Sequence, residues 1–146
     1  MVILGIDPGI AIVGYGIIEY KNNKFRVIDY GAVTTNANTP TDQRLALVYK
    51  GIDILIKNYN IDEVAIEELF FNKNVKTAIT VAQARGVIML ACTHNNKPIY
   101  EYTPLQVKQG VVGYGRAQKM QVQQMVTSLL KLKEIPKPDD TADALA

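Results

Sequence analysis

The sequence predicts an α/β domain: a five-stranded mixed sheet flanked by helices. Three observations carry this. Short runs rich in Val, Ile and Tyr, bounded by Gly, Pro or Asn, read as strands. The first three follow one another with no helical stretch between them, whereas later strands are separated by stretches of helical period, which demands crossovers and parallel pairing. A chain of 146 residues with 48% hydrophobic and 21% charged residues has the size and composition of one globular domain, spanning 1–146.

Val2-Ile3-Leu4 is an apolar run ended by Gly5-Ile6-Asp7-Pro8-Gly9, and reads as a buried strand closing in a sharp turn. Residues 11–20 and 25–35 are the next strands, and Asn22-Asn23, which tolerate positive φ, join them in a tight antiparallel hairpin. Gly14 and Gly16 lie inside the first of this pair, where glycine signals close approach of another backbone. Thr41 or Asp42 is placed to cap a helix after Pro40, whose Leu45, Val48, Tyr49, Ile52, Leu55, Ile56 and Tyr59 form one apolar stripe. Residues 62–67 form a short strand.

The helix over 75–93 is apolar around most of its circumference. Either it packs on the sheet with one face and on a partner subunit with the other, or it is wholly internal. Residues 98–102 are a fifth strand. Thr103-Pro104 opens a short helix that Gly110, Gly113 and Gly115 break. Helical period resumes over 118–132 until Pro136 and Pro138, and Asp139 reads as the cap of a last, truncated helix. About eight residues of helix are marginal alone, so a site resting on it is expected to be loosely held.

Some classes fall away. No run of ~18 apolar residues appears, so no membrane span or membrane partner is expected. The opening strand has no basic-then-apolar leader, which argues against a signal peptide. The single Cys92 lies among Ile88, Met89, Leu90 and Ala91, supports no disulfide framework and suits a cytoplasmic core position. No Gly-rich loop precedes a Lys-Ser/Thr pair, so a phosphate-cradling P-loop is excluded.

The candidate chemistry is acidic. Asp7 ends its strand, and alone it reads as a turn cap. Glu67 ends another apolar strand. If these strands are parallel neighbours, both carboxylates project at the carboxyl edge of the sheet, where open α/β sheets hold ligands. Glu68 points the opposite way. Asp140 and Asp143, three apart on the last helix, share a face. Four such groups are hard oxygen donors suited to Mg²⁺ or Mn²⁺, and would repel one another without a cation. Zinc spacing is lacking, and the only histidine, His94, reads as a solvated helix-end residue, so activation of water would fall to metal. Charge is uneven: residues 72–137 carry ten Lys/Arg and two acids, while the first 71 residues carry six bases and nine acids. A basic half beside an acidic cluster fits a polyanion held against bound cations, or ordinary solvated lysines.

Gly5-Ile6-Asp7-Pro8-Gly9, Ala65-Ile66-Glu67, Gln83-Ala84-Arg85-Gly86, Val107-Lys108-Gln109, Lys119-Met120-Gln121-Val122 and Asp140-Thr141-Ala142-Asp143-Ala144-Leu145-Ala146, in this order over nearly the whole chain, resemble the RuvC family of Holliday junction resolvases. The resemblance implies a ribonuclease-H-like fold, a homodimer, two Mg²⁺ ions per subunit with Mn²⁺ as substitute, and symmetric nicking of two opposing strands of a four-way DNA junction in recombination and repair. It implies a RuvA–RuvB branch-migration complex as partner. By resemblance Asp7, Glu67, Asp140 and Asp143 are the catalytic, metal-binding acids, Lys108 and Lys119 lie near the scissile phosphate, and Phe70 contacts unpaired bases. The family register favours Asp140 over Asp139 as the partner of Asp143. Family members continue past Asp-Ala-Leu-Ala as an apolar helix.

The remaining candidates are DNA contacts. One of Phe70 and Phe71 is expected to pack inside and one to stack on a base. Lys73 and Arg116 join the basic set, and Arg85 either binds DNA or pairs across a dimer seam. Two rival readings are an ATPase of the actin, Hsp70 and sugar-kinase type, which needs two such domains, and a junction-binding module without catalysis, against which the four acids argue.

Overall fold

The computed structural model describes residues 1–68 and 75–146. Strands β1 (Val2–Asp7), β2 (Ile12–Lys21) and β3 (Lys24–Thr34) are followed by α1 (Thr41–Asn58), β4 (Glu63–Glu67), α2 (Val75–His94), β5 (Ile99–Tyr102), α3 (Pro104–Val112), α4 (Lys119–Leu129) and α5 (Asp139–Leu145). The five strands form one sheet in the order β3-β2-β1-β4-β5. β1 pairs antiparallel with β2 and parallel with β4, and β4 pairs parallel with β5. The hairpin turns on Asn22 and Asn23 at φ 54° and 59°.

Alternation along the strands sorts the two faces. Leu4, Ile6, Val13, Ile17, Val64 and Ile66 are fully or almost fully buried and join Val48, Ile52, Ile56, Ile88 and Ala91 of α1 and α2 in the main core. Cys92 lies in it, as expected, and burial pushes its thiol up to about 11. The opposite parity of β1 and β2 carries Gly5, Gly14 and Gly16. A Cβ on Gly5 would collide with the carbonyl of Ala144, one on Gly14 with the carbonyl of Asp140, and one on Gly16 would stand 2.5 Å from Leu145 Cδ2. The three glycines thus form a floor without side chains on which the α5 backbone rests. Thr141, fully buried, donates from Oγ1 to the Gly31 carbonyl of β3 at 3.1 Å. A smaller core of Ala117, Val122, Val126 and Leu145 closes α4 over α5.

Several sequence expectations shift. α5 is not loosely held: Thr141, Ala142, Ala144 and Leu145 are buried, so tertiary packing supplies what length alone does not. Asp139 is the first helical residue of α5, with Pro138 in the cap position. Likewise Pro40 caps α1, and neither Thr41 nor Asp42 makes a side-chain cap. Gly110 sits inside α3, which the Thr103–Gln106 capping box starts and Gly113, at φ 78°, ends. α4 stops at Leu129, before a left-handed Lys131. α2 is not internal. It buries Ala84, Ile88, Ala91 and Cys92, while Val75, Ile79 and Leu90 are exposed on the other side. At 20 residues it is long and apolar enough by length and composition to cross a bilayer, although Lys76 and Arg85 interrupt its apolar run and one face is core against α1 and the sheet. His94 ends α2 exposed, 2.6 Å from the Tyr49 hydroxyl.

A methyl group at residue 14 tests the glycine floor. Gly14→Ala should destabilise the fold by about 1–3 kcal/mol in chemical denaturation, the usual cost of overpacking. It should also reduce the stabilisation given by added Mg²⁺, because α5 is pushed off the sheet. Unchanged stability and metal response would show that α5 does not need this close approach.

Candidate active site

β1 and β4 run in parallel with Ile6 opposite Ile66. The next residues, Asp7 and Glu67, therefore leave the sheet side by side at its carboxyl edge and on the same face. Gly14 is the partner of Asp7 across β2 and carries Asp140 above it. The floor under α5 is what brings its two short carboxylates down to Asp7.

The electrostatics record the crowding. Asp7 is pushed up to about 8, first by burial, then by the charges of Glu67, Asp143 and Asp140, and it shares a side-chain hydrogen bond with Asp140. Glu67 is raised by burial and by Asp143, against the lowering effect of a hydrogen bond to Asp7 and of Lys119 and Lys108. Burial likewise raises Asp143, partly offset by Lys119. Lys119 Nζ stands 3.4 Å from Asp143 Oδ2 and 3.6 Å from Asp139 Oδ2. Burial works to lower Lys119, and the carboxylates of Asp143, Asp139 and Asp140 outweigh it, so the ammonium is held above its usual range.

These groups fit a hard divalent cation by donor chemistry: every donor is a carboxylate oxygen, and their mutual repulsion is the cost that a cation would remove. Among the described residues no three acids are drawn in around one point as in a closed metal centre. They form a chain instead, Asp140 to Asp7 to Glu67, with Asp143 facing Glu67 and tied to Lys119. A cavity of about 230 Å³ opens beside it, lined by Glu67, Asp143, Lys108, Lys119, Val107 and Val122. Acids that can hold cations and lysines that can hold a phosphate thus line one cavity.

The other candidates scatter. Arg116 is exposed on the segment between α3 and α4. Phe70 and Lys73 lie outside the described residues. Arg85 is committed within the chain: its Nη2 donates to Glu101 Oε1 at 2.6 Å and its Nε to the Glu67 carbonyl at 3.4 Å, with the side chain only 16% exposed. The direct DNA contact expected of it has no support in this geometry, and its partner is internal rather than across a seam. Sequence reasoning missed Glu101, which reads as an ordinary strand acid, and the part of Gly5 in the floor, although Gly5 shares its face with Asp7.

The family model described as crossover junction endodeoxyribonuclease RuvC matches residues 3–146. The crossover junction endodeoxyribonuclease RuvC of Clostridioides difficile (strain 630) is 81% identical over 146 residues, all of this chain and 86% of that protein. The chain belongs to the RuvC family. It is therefore an endodeoxyribonuclease dependent on divalent metal. Among solved structures it is similar to Thermus thermophilus RuvC, with a TM-score of 0.90 at 36% identity over 99% of this chain and 89% of that one. It is similar also to T. thermophilus RuvC in complex with a Holliday junction substrate, with a TM-score of 0.94 at 36% identity over 99% of this chain and 88% of that one. The ribonuclease-H-like sheet expected from the RuvC resemblance is the sheet observed.

A pH titration of stability follows from the crowded acids. Asp7, Glu67 and Asp143 all have folded-state values above their ordinary ones. The folded chain then binds more protons than the unfolded one. In EDTA, the stability these groups contribute should be fully present below about pH 4, near the ordinary carboxylate range, and should be lost as pH rises toward about 8, where Asp7 ionises. Asp7→Asn should flatten most of this slope, raise the melting temperature at pH 8 in EDTA and shrink the increase caused by Mg²⁺. Melts showing Asp7→Asn less stable than wild type in EDTA, with an unchanged Mg²⁺ response, would mark Asp7 as an ordinary buried aspartate.

Proposed function

We propose that the chain resolves four-way (Holliday) DNA junctions by symmetric, metal-dependent nicking of two opposing strands, in homologous recombination and DNA repair. The observation that carries this is one small cavity shared by Glu67, Asp143, Lys108 and Lys119, with Asp7 and Asp140 continuing the acidic row beside it, in a chain of this family. Asp7, Glu67, Asp140 and Asp143 would hold two Mg²⁺ per subunit, with Mn²⁺ able to substitute. Such ions, when bound, supply a water of lowered pKa as nucleophile and stabilise the leaving oxygen. The chain's own residues do the rest. Lys119, now paired with Asp143 and Asp139, and Lys108 present ammonium groups to a backbone phosphate entering the cavity. Arg116 and Lys73 extend the basic surface along the DNA, and Phe70 stacks on an unpaired base at the crossover.

Paired nicks need two active sites in a fixed relation, hence a homodimer. The exposed stripe of α2, Val75, Ile79, Gly86 and Leu90, supports this reading, because it is apolar and a Cβ added at Gly86 would meet nothing within 4 Å among the described residues. A cytoplasmic location and cooperation with a RuvA–RuvB branch-migration complex belong to the same reading.

A synthetic mobile four-way junction separates the alternatives. With Mg²⁺, paired nicks on opposing strands are expected, and with EDTA binding without nicks. Ile79→Asp should give soluble monomers by sedimentation and lose paired nicking. Binding without nicks at any Mg²⁺ or Mn²⁺ concentration would leave a junction-binding module, and ATP binding without junction binding would favour an ATPase.

A further inference from the structure

The carboxyl end of β4 has a problem that the ladder does not solve. β4 is a central strand, but its last pairing with β5 is Glu67 opposite Tyr102, and the Glu68 N–H is the last to reach across, to the Tyr102 carbonyl at 2.8 Å. Here the chain leaves the sheet, at the residue whose carboxylate belongs to the site. α2 crosses behind this point and sends Arg85 back to it. The guanidinium donates from Nε to the Glu67 carbonyl at 3.4 Å and from Nη2 to Glu101 Oε1 at 2.6 Å, while Nη1 rests 3.3 Å from Met89 Sδ. Glu101 lies opposite Ile66 on β5, one register position before Glu67. One planar fork therefore joins three elements, α2, β4 and β5, at the base of Glu67.

We infer that Arg85 is a positioning residue: with Glu101 it fixes the Glu67 backbone, and through it the carboxylate, against Asp7 and Asp143. Rigid guanidinium geometry suits this task, because two donors in one plane fix direction as well as distance. A surface DNA contact does not explain why the side chain is 16% exposed and already paired with an acid. A bystander ion pair does not explain the donor aimed at the carbonyl of a site residue. Carboxylates that must share cations tolerate little displacement: partners that orient metal ligands typically change metal affinity or activity 10–100-fold when removed.

The inference rests on the nuclease reading for its activity arm, but its metal arm stands alone. Arg85→Gln and Glu101→Ala are compared with wild type in three measurements: Mn²⁺ binding by calorimetry without DNA, four-way junction binding across a salt series, and single-turnover cleavage. Both variants should bind Mn²⁺ about 10-fold or more weakly and cleave about 10–100-fold more slowly, with junction affinity within about 2-fold and an unchanged salt slope. A contact to phosphate predicts otherwise: Arg85→Gln alone would weaken binding and flatten the salt slope by about one, while Glu101→Ala would not weaken it. That result overturns the inference, as does a drop in melting temperature with Mn²⁺ affinity unchanged. If Arg85→Gln does not fold, Glu101→Ala, in which the lost carboxylate is partly exposed, decides by the same readouts. If wild type fails to cut junctions, the function reading falls, and Mn²⁺ binding still decides the role of Arg85.

Discussion

Helix α5 lies on β1 and β2 with no side chain between its backbone and theirs at Gly5 and Gly14. The rest of the site depends on this closeness. Aspartate has one methylene of reach, so Asp140 and Asp143 can meet Asp7 only if the helix that carries them sits directly on the strand. Any Cβ in the floor would hold it off. Thr141 adds a hydrogen bond to Gly31 from the buried side of the same helix, and Leu145 anchors its end over Gly16. A seven-residue helix that would not persist alone is thereby fixed by its neighbours.

The same closeness creates strain of an electrostatic kind. Carboxylates that water would separate are crowded at one sheet edge, and the Asp7 carboxyl rises to about 8, first through burial and then through its neighbours' charges. Lys119 offsets part of this from α4. Sites that hold metal commonly trade stability for function in this way, since the ligand set is stable only with its cation. The lysines that ease the repulsion, Lys119 and Lys108, line the same cavity as Glu67 and Asp143, so acids and bases share one arrangement of charge in this RuvC family member.

Much of this was legible in the sequence because period-two alternation leaves few choices. Strands that end in Asp7 and Glu67 must, once parallel and in register, present both acids at one edge. Gly14 and Gly16 announced the close approach, although nothing local named α5 as the body approaching. What the sequence could not carry was tertiary. Gly110 looks like a helix breaker, but the Thr103 capping box and the later Gly113 set the ends of α3. Asp139 looks like a cap, but Pro138 takes that position and leaves Asp139 facing Lys119. Arg85 looks like a cation awaiting DNA or a partner across a dimer seam until Glu101, 16 residues away on β5, is seen beside it. The apolar circumference of α2 does not reveal which half meets the sheet.

The central claim is that acids from three separated segments, β1, β4 and α5, form one divalent-cation site. Anomalous diffraction from Mn²⁺-soaked crystals tests it most directly. The account predicts a Mn²⁺ peak within coordination distance, roughly 2.0–2.6 Å, of carboxylate oxygens from Asp7 and at least one of Glu67, Asp140 and Asp143. Mn²⁺ bound elsewhere at full occupancy, with these four carboxylates left without a peak, would contradict it.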